Sequence, residues 1–367
     1  MKAASAVLNT MALPSAGPFR TLDPFLFCVY HKDAYPPAHD ETMEAPQPGN
    51  GMDFNPSAPY RMYHGDMVPG FPSHPHRGFE TITATIDGLI DHSDSLGNGG
   101  RYGEGDLQWM TAGKGIVHAE MFPLIFKEKP NPTRFFQIWI NLPARSKMVE
   151  PSFAMFWNND VPKWKSPDEK AAVTVFYGDY FLEASSEEEE NKRVMNPNQP
   201  PQDSWATDHD NDVAILHVTI QPGGTIEIPK AHESDSKTVN RVLYCIEGLK
   251  EQPVINEVPI NDGMITVDAS SALDISLSSS ASQACELLLL QGKPIDEPVA
   301  QHGPFVMNSR SEIEQAFMDY SKTKFGGWPW PRDDMVFPRE KGRFALLYGE
   351  ETTPADADTG VCEEPKS

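Results

Sequence analysis

Proline and glycine recur so often in this chain that few windows can hold a long regular element. There are 34 prolines and 26 glycines in 367 residues. A proline removes a backbone donor and fixes its own φ, and a glycine weakens any element it interrupts. What lies between them is short and reads as strand: "ETITATI", "TRFFQIWINL", "AAVTVFYG", "VAILHVTI", "TIEIP", "RVLYCIEG", "ALDISLS" and "ACELLLLQG". Branched and aromatic residues in short runs, punctuated by Gly, Pro, Asn and Asp, predict an all-β sandwich or barrel. One helix is predicted, over "SRSEIEQAFMDYSKTK". Ser309 or Ser311 would cap it, and Ile313, Phe317 and Tyr320 share a face at i, i+4, i+7.

The length accommodates two or three domains. Residues 32–70 read as loop, and so does the acidic, proline-containing segment 183–212. The second divides two strand-rich halves. The expected division is an N-terminal domain over 1–182, a linker over 183–212, a C-terminal domain with the helix over 213–325, and an extended tail over 326–367. From Glu350 on the chain is acidic and small-residue-rich, a composition that favours disorder. The net charge is −23, from 53 acidic and 30 basic residues. Such a surface repels phosphate backbones and anionic lipid, which argues against direct nucleic-acid or membrane contact. The four cysteines, Cys28, Cys245, Cys285 and Cys362, form no CxxC pair and read as free thiols of a reducing compartment. The opening "MKAASAVLNTMALPSAGPFR" makes a poor signal peptide. The expected location is cytoplasmic or nuclear, not secreted.

Chemistry concentrates in two short stretches. "FPSHPHRGFETI" carries His74 and His76, and "GKGIVHAEMF" carries His118 and Glu120. Side chains at i and i+2 of a strand point to one face, so each pair converges. Three imidazoles and a carboxylate make a mixed N/O metal site, for which ligand softness favours Fe(II), with Mn, Ni, Cu or Zn as alternatives. Glu80, four residues after His76, is a second candidate for the carboxylate ligand. Arg77 is expected to form a structural ion pair, and His92, in a hairpin, to lie at the pocket mouth. Phe71, Phe79, Trp109, Met110 and Phe136 are candidates for an apolar lining. His217, His232 and His302 stand alone and are expected to ligate nothing.

The stretches "HPHRGFET", "GDLQWMTAGKGIVHAEM", "KMVEP", "QHGPFVMN", "NRVLYCIEG" and "FGGWPWPRDD" resemble the signatures of the pirin family of the cupin superfamily. The resemblance runs from about Thr21 to about Arg343. It implies two cupin β-barrels in one chain, all-β apart from a short C-terminal helix. It also implies one iron-type ion, in the N-terminal barrel only, on His74, His76, His118 and Glu120, with Glu80 outside the ligand set. It implies one of two functions. The first is a quercetinase-type dioxygenase acting on a flavonol or similar enol with O2, in which Glu120 also takes the substrate's hydroxyl proton. The second is a redox-responsive regulator that binds a protein partner without turnover. The longer 32–70 and 183–212 segments depart from shorter family members. The paired tryptophans of "GGWPWP", Trp328 and Trp330, are expected to pack against a barrel.

Overall fold

The computed structural model describes residues 6–14, 17–182, 192–232 and 239–355. Each of the eight stretches singled out above contains a strand: Phe79–Asp87, Asn131–Asn141, Ala171–Tyr177, Ala214–Ile220, Thr225–Ile228, Asn240–Glu247, Leu273–Ser276 and Cys285–Gly292. The chain is all-β with one α-helix, α1, over Arg310–Thr323. It divides into two compact units, each a pair of sheets closed around its own core.

The first unit gathers Cys28–Asn159, Pro200–Ser204 and the residues from Glu297 on. Its five-stranded sheet runs in the order Ser152–Phe156, Leu107–Thr111, Phe79–Asp87, Asn131–Asn141, Phe25–Tyr35. Its six-stranded sheet runs Glu350–Thr352, Phe344–Leu347, Gly99–Gly103, Leu89–Asp94, Ile116–Met121, Gly70–His76. Met110, Phe135 and Phe153 of one sheet meet Ile90, Tyr102 and Ile116 of the other in a shared core. Each such fully buried apolar side chain contributes roughly 1.5–3 kcal/mol.

The second unit gathers the described residues of 6–27, 160–199 and 205–296. Its seven-stranded sheet runs Val7–Met11, Met264–Val267, Asn240–Glu247, Cys285–Gly292, Ala214–Ile220, Ala171–Tyr177, Lys163–Lys165. A four-stranded sheet, Thr225–Ile228, Leu273–Ser276, Val254–Ile255, Val258–Pro259, closes over it. Leu216, Leu243 and Leu289 pack there against Ile226, Ile228 and Ile275.

The units interleave in sequence, and their edges do not fall at the expected borders near 182 and 325. The helix and the segment after it lie with the first unit, where the sequence pattern had assigned them to the C-terminal domain and an extended tail. Their contacts explain the placement. Ser309 caps α1, its hydroxyl accepting from the Glu312 N–H. Ile313 and Ala316 are buried against Val117, Phe305 and Phe325. Phe317, predicted on the buried face, is 40% exposed and reaches the core only edge-on to Phe305. Arg77 forms the expected ion pair, 2.8 Å from Asp319 on α1. Beyond the helix, Arg101 is fully buried against Asp91 at 2.7 Å and donates to the carbonyls of Phe337, Pro338 and Lys341. Asp91 in turn accepts from the Phe337 N–H. Trp330 donates its indole N–H to the Asp94 carbonyl, and Trp328 packs beside Phe325, so both tryptophans lie against this unit.

The stretch 32–70 is more than a loop. The strand Phe25–Tyr35 occupies its start, and Ala38, Ala45, Met62 and Tyr63 bury themselves in the core. In 183–212, the strand Lys192–Met195 pairs with Asp179–Leu182, while 183–191 lie outside the described residues. The tail past Glu350 begins with a paired strand, Glu350–Thr352, and 356–367 lie outside the described residues. Cys28, Cys245 and Cys285 are free and buried, and Cys362 lies outside the described residues. No helix among the described residues is long and apolar enough to cross a membrane.

Candidate metal centre

The strands Gly70–His76 and Ile116–Met121 run antiparallel as neighbours, with His74 opposite His118 and Phe71 opposite Glu120. A register shift between Phe71 and His74 interrupts the ladder. Glycine permits the close approach. A Cβ at Gly70, whose φ is 135°, would stand 2.5 Å from the Glu120 carbonyl oxygen. At Gly78, with φ of 84°, it would meet the Val306 carbonyl at 1.9 Å. The tight turn after His76 therefore accepts no other residue without rearrangement.

The three imidazoles converge. Ring centroids lie 4.5 Å apart for His74 and His118, 4.8 Å for His74 and His76, and 4.9 Å for His76 and His118. One nitrogen from each falls within 4.8 Å of the other two. Burial drives all three toward the neutral form: His74 is lowered to about 4, and His76 and His118 lie well below the ordinary range. Neutral imidazoles keep the lone pair that a metal requires. His74 has its tautomer fixed, because its Nδ1–H donates to the Pro72 carbonyl at 2.8 Å and leaves Nε2 as the acceptor. Nδ1 of His76 and both nitrogens of His118 are buried without a hydrogen-bond partner. Unpartnered polar atoms cost roughly 1–3 kcal/mol each when buried. A cation between the rings would satisfy Nδ1 of His76 and one nitrogen of His118, so the donor set fits a transition metal.

Glu120 borders this trio. Its Oε2 stands 4.0 Å from His118 Nε2, and its Oε1 accepts from the Thr83 hydroxyl at 2.9 Å. Thr83 also sits 2.8 Å from Gln137 Oε1. One hydroxyl hydrogen cannot serve both oxygens at once. Burial raises the Glu120 carboxyl above its ordinary value, against the opposing pull of Thr83. The other candidate carboxylate, Glu80, lies outside the trio. Its two oxygens accept from Thr111 and Ser204, each at 2.6 Å, and burial pushes it up to about 7.

Among the neighbours, Tyr102 and Trp139 were not legible as site residues, and His92 lies deeper than expected. His92, expected at a pocket mouth, is fully buried opposite Glu120, with its ring 5.5 Å from that of His118 and its Nε2 3.5 Å from Asp94. The buried Tyr102 hydroxyl faces Glu120. Trp139 lies 5.4 Å from His76. Of the expected apolar lining, Phe79 lies 5.1 Å from His76 and Phe71 6.3 Å from His74. Trp109, Met110 and Phe136 are fully buried instead, with Met110 in the shared core, Phe136 against Tyr30, and Trp109 against Phe156 and beside Glu80. Of the lone histidines, His217 pairs with Glu286 at 2.9 Å, and His302 is exposed, edge-on to Phe317.

Comparison with known proteins agrees with this architecture. The pirin family model matches residues 9–140, and the model of the pirin C-terminal cupin domain matches 215–326. A pirin-like protein of Solanum lycopersicum is 34% identical over 259 residues, which is 70% of this chain and 77% of that one. A Pseudomonas aeruginosa protein with the provisional name quercetin 2,3-dioxygenase is 37% identical over 261 residues, 70% of this chain and 80% of its own. Among solved structures, a quercetin 2,3-dioxygenase of Acinetobacter baumannii shares the fold, with a TM-score of 0.61 at 22% identity over 88% of this chain and 96% of that one. The paired-histidine strands, the two closed sheet pairs and these matches place the chain in the pirin family of the cupin superfamily.

Proposed function

We propose that the first unit is an iron-dependent oxygenase centre of the quercetinase type, acting on a flavonol or a similar enol. The observation that carries this reading is the trio of buried, neutral imidazoles with unpartnered nitrogens beside the carboxylate of Glu120. The provisional quercetin 2,3-dioxygenase name of a 37% identical relative supports it. His74, His76, His118 and Glu120 would hold the ion. Bound there, ferrous iron would supply a Lewis-acidic, redox-active centre for chemistry with O2. Thr83 restrains Oε1 of Glu120, which leaves Oε2 as the atom to take a proton from the substrate hydroxyl. Burial raises its affinity for a proton, which favours that task. Phe71, Phe79 and Trp139 wall the imidazoles with apolar surface, which keeps water from the reacting atoms.

The test is elemental analysis of the purified chain, followed by O2 uptake with quercetin. The expected result is bound iron, oxygen consumption, and loss of the flavonol absorbance band as the ring opens. Iron-loaded protein that consumes no O2 with quercetin or related enols would overturn the oxygenase reading. It would favour a metal-dependent regulator acting through a protein partner. A net charge of −23 opposes direct contact with nucleic acid.

A further inference from the structure

The second unit contains a cavity of about 570 Å³, within the range of small-molecule sites. One end of it is set by cross-strand register. Arg241 lies opposite Gln291, and Gln291 opposite Ala214, so the three share one face of the seven-stranded sheet. Two residues along the same strand on that face is Leu243, in the apolar core. Arg241 is thus a guanidinium at the end of an oily interior, only 2% exposed.

Its hydrogen bonding is incomplete. Nη2 donates to the Pro229 carbonyl at 2.5 Å and Nη1 to the Ser271 carbonyl at 3.3 Å. Nε is buried with no partner. Two contacts leave most of the five guanidinium N–H bonds unused. No carboxylate among the described residues comes within ion-pair distance of Arg241. Asp212, in the same cavity, attracts Arg241 through space without contacting it, and its oxygens accept from the Gln291 amide at 3.0 Å and from the His232 backbone N–H at 2.7 Å. Burial lowers Arg241 to about 10, which still leaves it charged at neutral pH. A buried cation without a contacting anion is costly, and a planar fork with free N–H bonds is matched to a carboxylate. Asp212 nearby disfavours a second negative charge on the ligand. Leu216 and Ile228 give the cavity an apolar wall, and Asp179, Glu227, Lys230 and His232 give it a polar one.

We infer that this second cavity binds a small organic monocarboxylate with a flat or aliphatic body, its carboxylate on Arg241 and its body against Leu216 and Ile228. The site is separate from the imidazole centre and does not depend on a metal.

The experiment uses the full chain after treatment with EDTA, so that carboxylate binding to an ion at the imidazoles cannot contribute. Calorimetric titration with 2-naphthoate and with the neutral 2-naphthamide reads the charge requirement. The acid is expected to bind saturably, and the amide roughly tenfold or more weaker. Arg241→Met should weaken the acid by a similar factor and leave the amide unchanged. Ala272→Trp, at the exposed rim of the cavity, should block both ligands without disturbing the core, and it carries the test if Arg241→Met fails to fold. Equal binding of acid and amide, no saturable binding of the acid, or unchanged binding of the acid in either folded variant would overturn the inference.

Discussion

His118 has no hydrogen-bond partner for either ring nitrogen, and it lies between His74 and His76 on one side and Glu120 on the other. Its replacement by Ala should lower metal affinity by roughly tenfold or more, as loss of a ligand exceeds the usual loss of a supporting contact. Elemental analysis after dialysis reads this, and full occupancy in the variant would remove His118 from the ligand set. Glu80 makes the contrasting case. Its ordinary value is 4.5, and burial raises it to about 7 although Thr111, Ser204 and Trp109 favour the charged form. A raised folded value means that the fold holds a proton the unfolded chain releases. Stability from this group is therefore complete below 4.5 and lost as pH rises through 7. A shift of that size corresponds to about 3 kcal/mol. Glu80→Gln, neutral at every pH, should retain metal and gain stability relative to the parent chain between pH 5 and 8. A pH-independent stability difference between the two would show that Glu80 is charged in the fold. The paired histidines were readable because i, i+2 spacing in a strand has one geometric meaning. Tyr102 and Thr83 were not, and the pattern puts His92 at the pocket mouth rather than in the interior, since each is a lone polar residue whose place depends on which strand comes to lie beside it.

Among the elements, strands made of branched and aromatic residues were evident from composition, and the helix from its cap and period. The strand Phe344–Leu347 was not, because its place beside Gly99–Gly103 follows from a buried ion pair rather than from local propensity. Arg101 and Asp91 are both fully buried, and together they hold the backbone at Phe337 and the carbonyls that follow it. Arg101→Met removes one partner and leaves Asp91 as an uncompensated buried charge, at a cost of about 3–5 kcal/mol. Chemical denaturation should show that loss. Limited proteolysis should show earlier cleavage between Asp333 and Arg343 than in the parent chain. A variant as stable and as resistant as the parent would show that the segment is held by its apolar contacts alone, chiefly Trp330 and Phe344 against Phe337.

At the level of the whole molecule, the two halves have different chemistry on similar frameworks. His74, His76 and His118 form the one cluster of three metal-capable side chains found among the described residues. In the second unit His217 is ion-paired to Glu286. Titration with ferrous iron under anaerobic conditions is expected to saturate at one ion per chain, and a second stoichiometric ion would require a site in the other unit. Two closed β-units were expected from strand spacing and from the family likeness. Their interleaving was not, since sequence order says nothing of which sheet a late strand joins. That interleaving has a consequence for biosynthesis. The three imidazoles leave the ribosome long before Phe344–Leu347, a strand of their own sheet. Nor can Arg101 and Asp91 find the carbonyls and amide that satisfy them until Phe337–Lys341 is made. The ordinary order of synthesis, in which the first-made domain matures first, is therefore not open to this unit. The strands that carry the three imidazoles must wait, incompletely covered, until that late strand is made, and stable binding of an ion there would come late.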